Sequence, residues 1–353
     1  MKIAVDAMGG DRAPAVVVDG ALLAAKEPDV EIVLVGDKDL LARELERHTV
    51  SGFSVEVVHA SQVVSMEESP SSAVKKANSS MKVAFDLMKR GEVKAVVSAG
   101  NSGAMMATGM FVMGNLPGVE RPAILVVIPT HGKGTVIIDA GANVDCKPRH
   151  LVQFGLMGSV YAERVLGIPQ PRVGLLSNGE EEGKGNDLTR ATSGQIAAAP
   201  LHYIGYVEGR DICIGDVDVV VCDGFIGNVT LKTMEGLARF ILDVLKQAFQ
   251  ENLQSRLGYL LSRTSLLHAF ARLDHTEYGG APLLGLDGVA IIAHGGSDSK
   301  AIKNAIRVAK ETAFHDVNQH IVEVLEGIQM AKGEKGSRFH RKIWRQLKAK
   351  IDN

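Results

Sequence analysis

The sequence predicts an α/β protein built on a doubly wound, mainly parallel sheet with one antiparallel pair. Three observations carry that expectation. Apolar runs of strand length alternate with helical patterns along most of the 353 residues. Several runs are continuously apolar, as in AILVV within 123–130 and VVV within 217–225, which suits strands covered on both faces. Glycine is abundant, at 38 residues, and many glycines follow an apolar run, where a strand turns into a helix.

Taken in order, the strand-length runs are 3–8, 31–36, 55–60, 95–100, 123–130 and 134–141, then 171–178, 203–208, 217–225 and 288–294. Helical patterns fill 14–27, 38–48, 72–90, 102–114, 148–166, 185–198, 226–252 and 298–315. Only residues 131–133 separate the runs 123–130 and 134–141, a hairpin spacing that makes this pair antiparallel. No repeat and no Pro- or Ser-rich linker divides the chain, so residues 1–330 are expected to form a single domain.

Composition excludes some function classes. Hydrophobic content of 46% and charged content of 23% are those of an ordinary soluble domain. A net charge of −2 gives no overall basic footprint for nucleic acid, and 5% aromatic content supplies few stacking platforms. Cys146, Cys213 and Cys222 are dispersed and odd in number, which argues against a disulfide framework and fits a reducing cytoplasm. The N-terminus MKIAVDAMGGD enters a strand with no signal-peptide core, and no run of about 18 apolar residues spans a membrane.

The stretch AVVSAGNSGAMMATGM, from Ala95 to Met110, is the first candidate site. It begins as a buried strand, breaks at Gly100, Asn101, Ser102 and Gly103, and continues as a small-residue helix. The first N–H groups of that helix have no partner within it, and the positive end of its dipole suits an anion such as phosphate. The plain alternative is an ordinary strand-to-helix turn. Five more strand ends carry glycine with Asp, Asn, Ser or His: Asp6–Asp11, Asp139–Asn143, Asn178–Asn186, Asp223–Asn228 and His294–Ser297. Ligands of doubly wound sheets bind beyond the carboxyl ends of strands, so these six segments are expected on one polar rim.

Several familiar motifs do not occur. There is no G-x-x-x-x-G-K-[ST], no G-x-G-x-x-G and no H-E-x-x-H. Ser102 is not in a G-x-S-x-G elbow, and His315 and His320 lie five apart, off one helical face, so no metal site is expected. His294, at a strand end before two glycines, is the histidine that reads as a candidate for chemistry, beside a purely structural hydrogen-bonding role.

Residues 226–252 carry one apolar stripe that packs on the sheet or on a second subunit. From Leu253 to Leu273 the pattern changes to LQSRLGYLLSRTSLLHAFARL, with interleaved arginines and no acidic residue. A turn near Ser262–Ser265 makes this an amphipathic helical hairpin. It reads either as a core or dimer helix pair or as a basic, leucine-rich surface for an anionic membrane or an acidic protein. The tail 331–353 is basic, with eight Lys or Arg against Glu334 and Asp352.

Seven blocks together resemble a known family. MKIAVDAMGGDRAP, SAGNSGAMMATG, IDAGANVDCKP, NGEEEGKGN, DGFIGNVTLKTMEG, YGGAPLLG and HGGSDSKAI stand in the order found in the PlsX family, the acyl-ACP:phosphate acyltransferases of bacterial phospholipid synthesis. The resemblance runs from Met1 to about Val324 and departs at Gly296, where a second small polar residue is expected. It implies transfer of a long fatty acyl group from acyl carrier protein to inorganic phosphate, giving acyl phosphate. It also implies a homodimer with a fold akin to isocitrate dehydrogenase and phosphate acetyltransferase, peripheral contact with the inner face of the plasma membrane, and hand-over to a membrane glycerol-phosphate acyltransferase. No cofactor is implied.

That chemistry suits the residues. Phosphate is already a nucleophile near neutral pH, and a thiolate of pKa near 8.5 leaves readily, so no catalytic triad is required. What is required is an anion cradle and donors for the tetrahedral oxyanion. The helix N-termini at Gly100–Gly103 and at Gly227–Asn228 are candidates for the cradle, and Lys184 and Lys232 for charge neutralisation. Asn143, Asn186 and Asn228 are candidates to hold the thioester carbonyl or the pantetheine arm, with Asn186 also readable as a helix cap and Lys232 as a surface residue. Asp6, Asp11 and Asp139 repel phosphate and are assigned to backbone positioning or to hydrogen bonding with Lys. Arg256, Arg263 and Arg272, with Leu257, Leu260, Leu261, Leu267 and Phe270, are the candidates for contact with the acidic carrier protein or with lipid. The competing readings are a phosphate acyltransferase that uses acyl-coenzyme A and a non-catalytic membrane-associated scaffold.

Overall fold

The computed structural model describes residues 1–48, 54–130, 132–271 and 279–333, and in 267–271 and 329–333 the backbone alone. The candidates Leu267, Phe270 and Arg272, and the basic tail beyond residue 333, therefore lie outside the described side chains. Among the described residues, eleven strands form one sheet in the order β3-β2-β1-β4-β11-β10-β5-β6-β9-β7-β8. The N-terminal half holds β1 (Lys2–Asp6), β2 (Glu31–Gly36), β3 (Val55–His59) and β4 (Ala95–Ser98), joined by β11 (Val289–Ile292), all parallel. The C-terminal half holds β6 (Thr135–Ile138), β9 (Val219–Val221), β7 (Arg172–Leu176) and β8 (His202–Val207), also mutually parallel.

Between the halves lie β10 (Ala281–Leu284) and β5 (Ala123–Ile128). The expected pair β5–β6 is antiparallel, with Leu125 opposite Ile138. The segment 281–284 was not expected as a strand, and it pairs antiparallel with both β11 and β5. These reversals qualify one expectation. β1, β4 and β11 run one way and β6, β7 and β9 the other. Five of the six polar strand ends still contribute to one groove, and only Asn178–Asn186 does not.

The alternation of β-strand side chains divides the core between the two faces. Ile3 and Val5 of β1 pack under α1 (Ala15–Ala25) and α11 (Ser299–Phe314), while Ala4 faces α4 (Ser80–Lys89) and α5 (Ser102–Val112). In β5, Leu125 packs with α6 (Pro148–Arg164), and Ile124 and Ile128 belong to clusters on the other face. A helix α12 (Val317–Gly333), absent from the sequence-based pattern, buries Val317, Ile321 and Leu325 at every fourth position in the α6 cluster.

Two helical expectations change. The pattern 72–90 is two helices, α3 (Pro70–Lys75) and α4, because Asn78 and Ser79 bond locally: the Asn78 N–H donates to Gln62 Oε1 at 3.1 Å, and Ser79 Oγ caps α4 by accepting from Lys82 N at 3.3 Å. No turn interrupts Ser262–Ser265. The helix α10 (Leu253–Ala271) runs straight through, since Ser262 Oγ donates back to Gly258 O at 2.6 Å and so satisfies itself inside the helix. The break lies instead at Glu251–Asn252, after α9 (Gly224–Gln250), where Asn252 Oδ1 accepts from Ser255 N at 2.8 Å. Across that break the Phe249 and Tyr259 rings meet with centroids 5.4 Å apart.

Candidate active site

The groove that gathers Gly100, Ser102, Asn228, Lys232 and His294 lies on one sheet face, at the seam between the halves. Its floor is apolar: Ile124, Val126 and Ile128 of β5, Pro282 of β10 and Ile292 of β11. One wall is α9, through Asn228, Leu231, Lys232, Met234, Glu235, Leu237 and Ile241. The other side holds Gly100 and Ser102 at the start of α5, with Asp11, Met66, His294 and Gly295. The cavity measures about 600 Å³, within the ~300–1,000 Å³ usual for small-molecule sites.

The turn into α5 is fixed from below by a hydrogen-bonded chain. Ser98 Oγ donates to Asp6 Oδ2 at 2.7 Å and accepts from Gly100 N at 3.0 Å. Burial pushes the Asp6 carboxyl up, and the Ser80 and Ser98 hydroxyls oppose that shift. The turn is too tight for a side chain at Gly9, whose Cβ would stand 2.7 Å from Asp6 Oδ2 and 2.8 Å from Gly100 N. Asn101 is the cap of α5: its Oδ1 accepts from Ala104 N at 2.9 Å, while Nδ2 donates to Met66 O at 2.7 Å and Glu68 O at 3.1 Å. Asn101 therefore holds a wall of the groove, and Ser102 with its N–H lies at the groove itself. Gly103 keeps α5 close to α3, where a Cβ would come 3.1 Å from Pro70 Cγ.

His294 stands at the end of β11, and its Nδ1 accepts from Gly296 N at 3.0 Å. That bond places the lone pair on Nδ1, so the neutral ring carries its proton on Nε2 as a donor. The turn after His294 is tied by Arg12, whose guanidinium donates to Gly296 O and Ser297 O, both at 2.8 Å. Arg12 went unread in the sequence, although it directly follows the GGD segment in the loop after β1.

The other wall depends on the loop after β6. Asp139 is fully buried and accepts five bonds: Oδ1 from the N–H groups of Ile124, Gly141 and Ala142, and Oδ2 from Asn143 N and Nδ2. Burial raises its carboxyl above the ordinary carboxylate range, and these donors pull the other way. The first turn of α9 presses on this loop. A Cβ on Gly227 would stand 1.9 Å from Asp139 O, and one on Gly224 would stand 2.8 Å from Asn143 N and O. The Gly227 N–H is used within the helix, donating to Asp223 O at 2.9 Å, and Asp223 Oδ1 caps the helix at Ile226 N, 2.9 Å away. The geometry thus gives Gly227 a packing role. It leaves Asn228 at the base of the groove, 3.6–3.7 Å from where a Cβ on Gly141 would be. Further along α9, Lys232 Nζ is paired with Glu235 Oε2 at 2.9 Å.

Asn143, Lys184 and Asn186 do not line the groove. Asn143 is buried, donating to Pro122 O at 2.7 Å and to Asp139. Asn186 caps α7 (Asp187–Ala197), accepting from Thr189 N at 2.9 Å. Lys184 lies in the loop between β7 and α7. Arg256, Leu257, Leu260, Leu261 and Arg263 are exposed on α10. Among the described residues no group of His, Cys, Asp and Glu is arranged to hold a metal ion, and no helix is long and apolar enough to cross a membrane. The apolar floor and Met66 were not read as site residues, because apolar runs there read as core; Cys213 was read only for its spacing, and Gly280–Pro282 only as part of the YGGAPLLG block.

Comparison with known proteins agrees with this architecture. A family model described as fatty acid synthesis protein matches residues 1–320. The phosphate acyltransferase of Geotalea uraniireducens is 57% identical over 327 residues, covering 92% of this chain and 94% of that protein. The phosphate acyltransferase of Geobacter sulfurreducens is 55% identical over the same share of each chain. Among solved structures, a phosphotransacetylase from Streptococcus pyogenes superposes with a TM-score of 0.60 at 15% identity, over 89% of this chain and 94% of that one. A 4-hydroxythreonine-4-phosphate dehydrogenase from Klebsiella pneumoniae gives a TM-score of 0.54 at 15% identity, over 88% and 99%. These two share the fold. The relatives and the family model show more: the chain belongs to the PlsX family of fatty acid synthesis proteins, the phosphate acyltransferases.

Proposed function

We propose that the protein transfers a long-chain fatty acyl group from acyl carrier protein to inorganic phosphate, by direct attack of a phosphate oxygen on the thioester carbonyl. The C–S bond breaks, the carrier leaves as its thiolate, and acyl phosphate is the product. One observation carries the reading: the groove joins a long apolar floor to a small polar set, the α5 N-terminus with Ser102, Asn228, Lys232 and the Nε2–H of His294. The apolar floor suits an acyl chain, and the N–H groups at Ser102 suit an anion. Asn228 and His294 supply hydrogen-bond donors for the developing oxyanion, worth about 10²–10³-fold in rate when one is removed. Lys232, released from Glu235, adds charge to the phosphate side.

Around this centre we assign α10 to contacts outside the chemistry. Leu253, Leu257, Leu260 and Leu261 are between 58% and 82% exposed, and Arg256 and Arg263 are exposed beside them. Such a surface suits peripheral binding to the inner face of the plasma membrane, docking of the acidic carrier protein, or a second subunit in a homodimer. A membrane glycerol-phosphate acyltransferase then consumes the acyl phosphate. The test is release of carrier thiol from acyl-acyl carrier protein by the purified protein. Release should rise with phosphate and be matched by acyl phosphate; thiol release indifferent to phosphate defeats the proposal.

A further inference from the structure

We propose that α9 reads the length of the acyl chain, which lies along Leu231, Met234, Leu237 and Ile241 and, when long enough, reaches Val244 beyond the groove. This inference rests on the acyl-transfer reading above. The first argument is the polarity of one helix face. The groove-lining positions of α9 are Asn228, Leu231, Lys232, Met234 and Glu235, then Leu237, Ala238 and Ile241. Every polar position lies before Leu237, so a substrate with a charged head and an apolar tail has one favourable direction along the helix.

The second argument is length. From Leu231 to Ile241 the helix rises about 15 Å at 1.5 Å per residue. Val244 lies about 4.5 Å further along the helix, just under one turn beyond Ile241, the last groove-lining position of α9. The third argument is exposure. Leu237 is 56% exposed, Ile241 42% and Val244 46%, and the only fully buried residues of α9 are Gly224 and Gly227. These side chains fall at steps of three or four along one stripe that starts inside the groove. That continuity with the substrate groove names the acyl tail as the occupant: each methylene that it buries fully there is worth about four-fold in binding.

The experiment measures kcat/KM for a series of acyl thioester donors of increasing chain length, in the full-length protein and in Val244→Asp. Val244 is exposed and outside the groove, so the variant should melt as the parent does. The expected result is unchanged transfer from short donors and a drop of ten-fold or more for the longest. Donors carrying a photoactivatable group at the chain end supply a second measurement, expected to label peptides containing 237–244 only when the chain is long. A flat length profile, or label confined to β5 at every length, overturns the inference. A uniform loss at all lengths with a change of molecular mass in solution assigns the stripe to a second copy and also overturns it. Phosphate dependence with the shortest donor is scored separately. If that dependence fails, the function itself fails; if it holds while the length profile is flat, only the role of α9 fails.

Discussion

The contact between Gly227 and the Asp139 carbonyl gives the sharpest test of how the groove is built. In Gly227→Ala the new Cβ would meet a backbone oxygen at 1.9 Å, where real contacts stay beyond 3.0 Å. A gap of about 1 Å must be found. The oxygen cannot yield easily, because the Asp139 carboxylate ties its own loop through five bonds and Asp139 N donates to Cys222 O at 3.0 Å. The helix must lift instead, and Asn228 moves with it. Overpacking of this kind costs about 1–3 kcal/mol of stability. A displacement of about 1 Å at a positioning group costs on the order of 10²-fold in rate. Gly236→Ala is the control on the same helix, since its Cβ would meet nothing within 4 Å. It should stabilise by up to about 1 kcal/mol through helix propensity and leave activity unchanged. The assay is phosphate-dependent thiol release with thermal unfolding of both variants. If Gly227→Ala retains parental kcat and melting temperature, α9 is not seated on the β6 loop as described.

Three further outcomes follow from the same geometry. Asn101→Ala removes the α5 cap and the ties to Met66 and Glu68, so unfolding experiments should show a loss of about 1 kcal/mol, with a raised phosphate KM. Glu68 is held down to about 2 by the Lys76 ammonium and the Ser72 hydroxyl, at 2.6 Å each. Its folded value lies below the ~4.3 of an unfolded Glu, so its stabilisation is present above that pH and fades as pH falls toward 2; acid titration of Glu68→Gln should lack this component. Leu260→Glu with Leu261→Glu should abolish sedimentation with anionic vesicles while keeping transfer in solution, because both side chains are exposed; unchanged sedimentation would remove α10 from the membrane role.

Much of the sheet was legible because its strands are covered on both faces and so read as unbroken apolar runs. Ile3–Val5, Val33–Val35 and Val219–Val221 are all essentially without solvent contact. The strand β10 was not legible, since Ala281-Pro282-Leu283-Leu284 carries a proline, follows two glycines and pairs over only two residues on each side. Strand direction was the larger gap. Nothing local in Asp139–Asn143 or Asn178–Asn186 tells that the first reaches the groove beside Gly100 and the second does not, because direction is set by where each crossover re-enters the sheet. The positioning role expected of Asp6 and Asp139 is visible in their bonds, since a buried carboxylate beside backbone donors has little else to do. In α9 the stripe was visible as apolar spacing. That it borders a cavity instead of filling a core depends on a packing gap, which spacing cannot encode.

The two helices that flank the groove differ in one atom pair with a long reach. At the start of α5 the cap is the neutral amide of Asn101, and at the start of α9 it is the carboxylate of Asp223. A helix end carries roughly half a positive charge. The amide leaves that half-charge unspent at Ser102, and the carboxylate more than cancels it near Asn228. An anion entering the groove thus meets an attractive pole and a repulsive one, set by a single change from amide to acid. Under the proposed function, this asymmetry favours a phosphate at the α5 end of the groove.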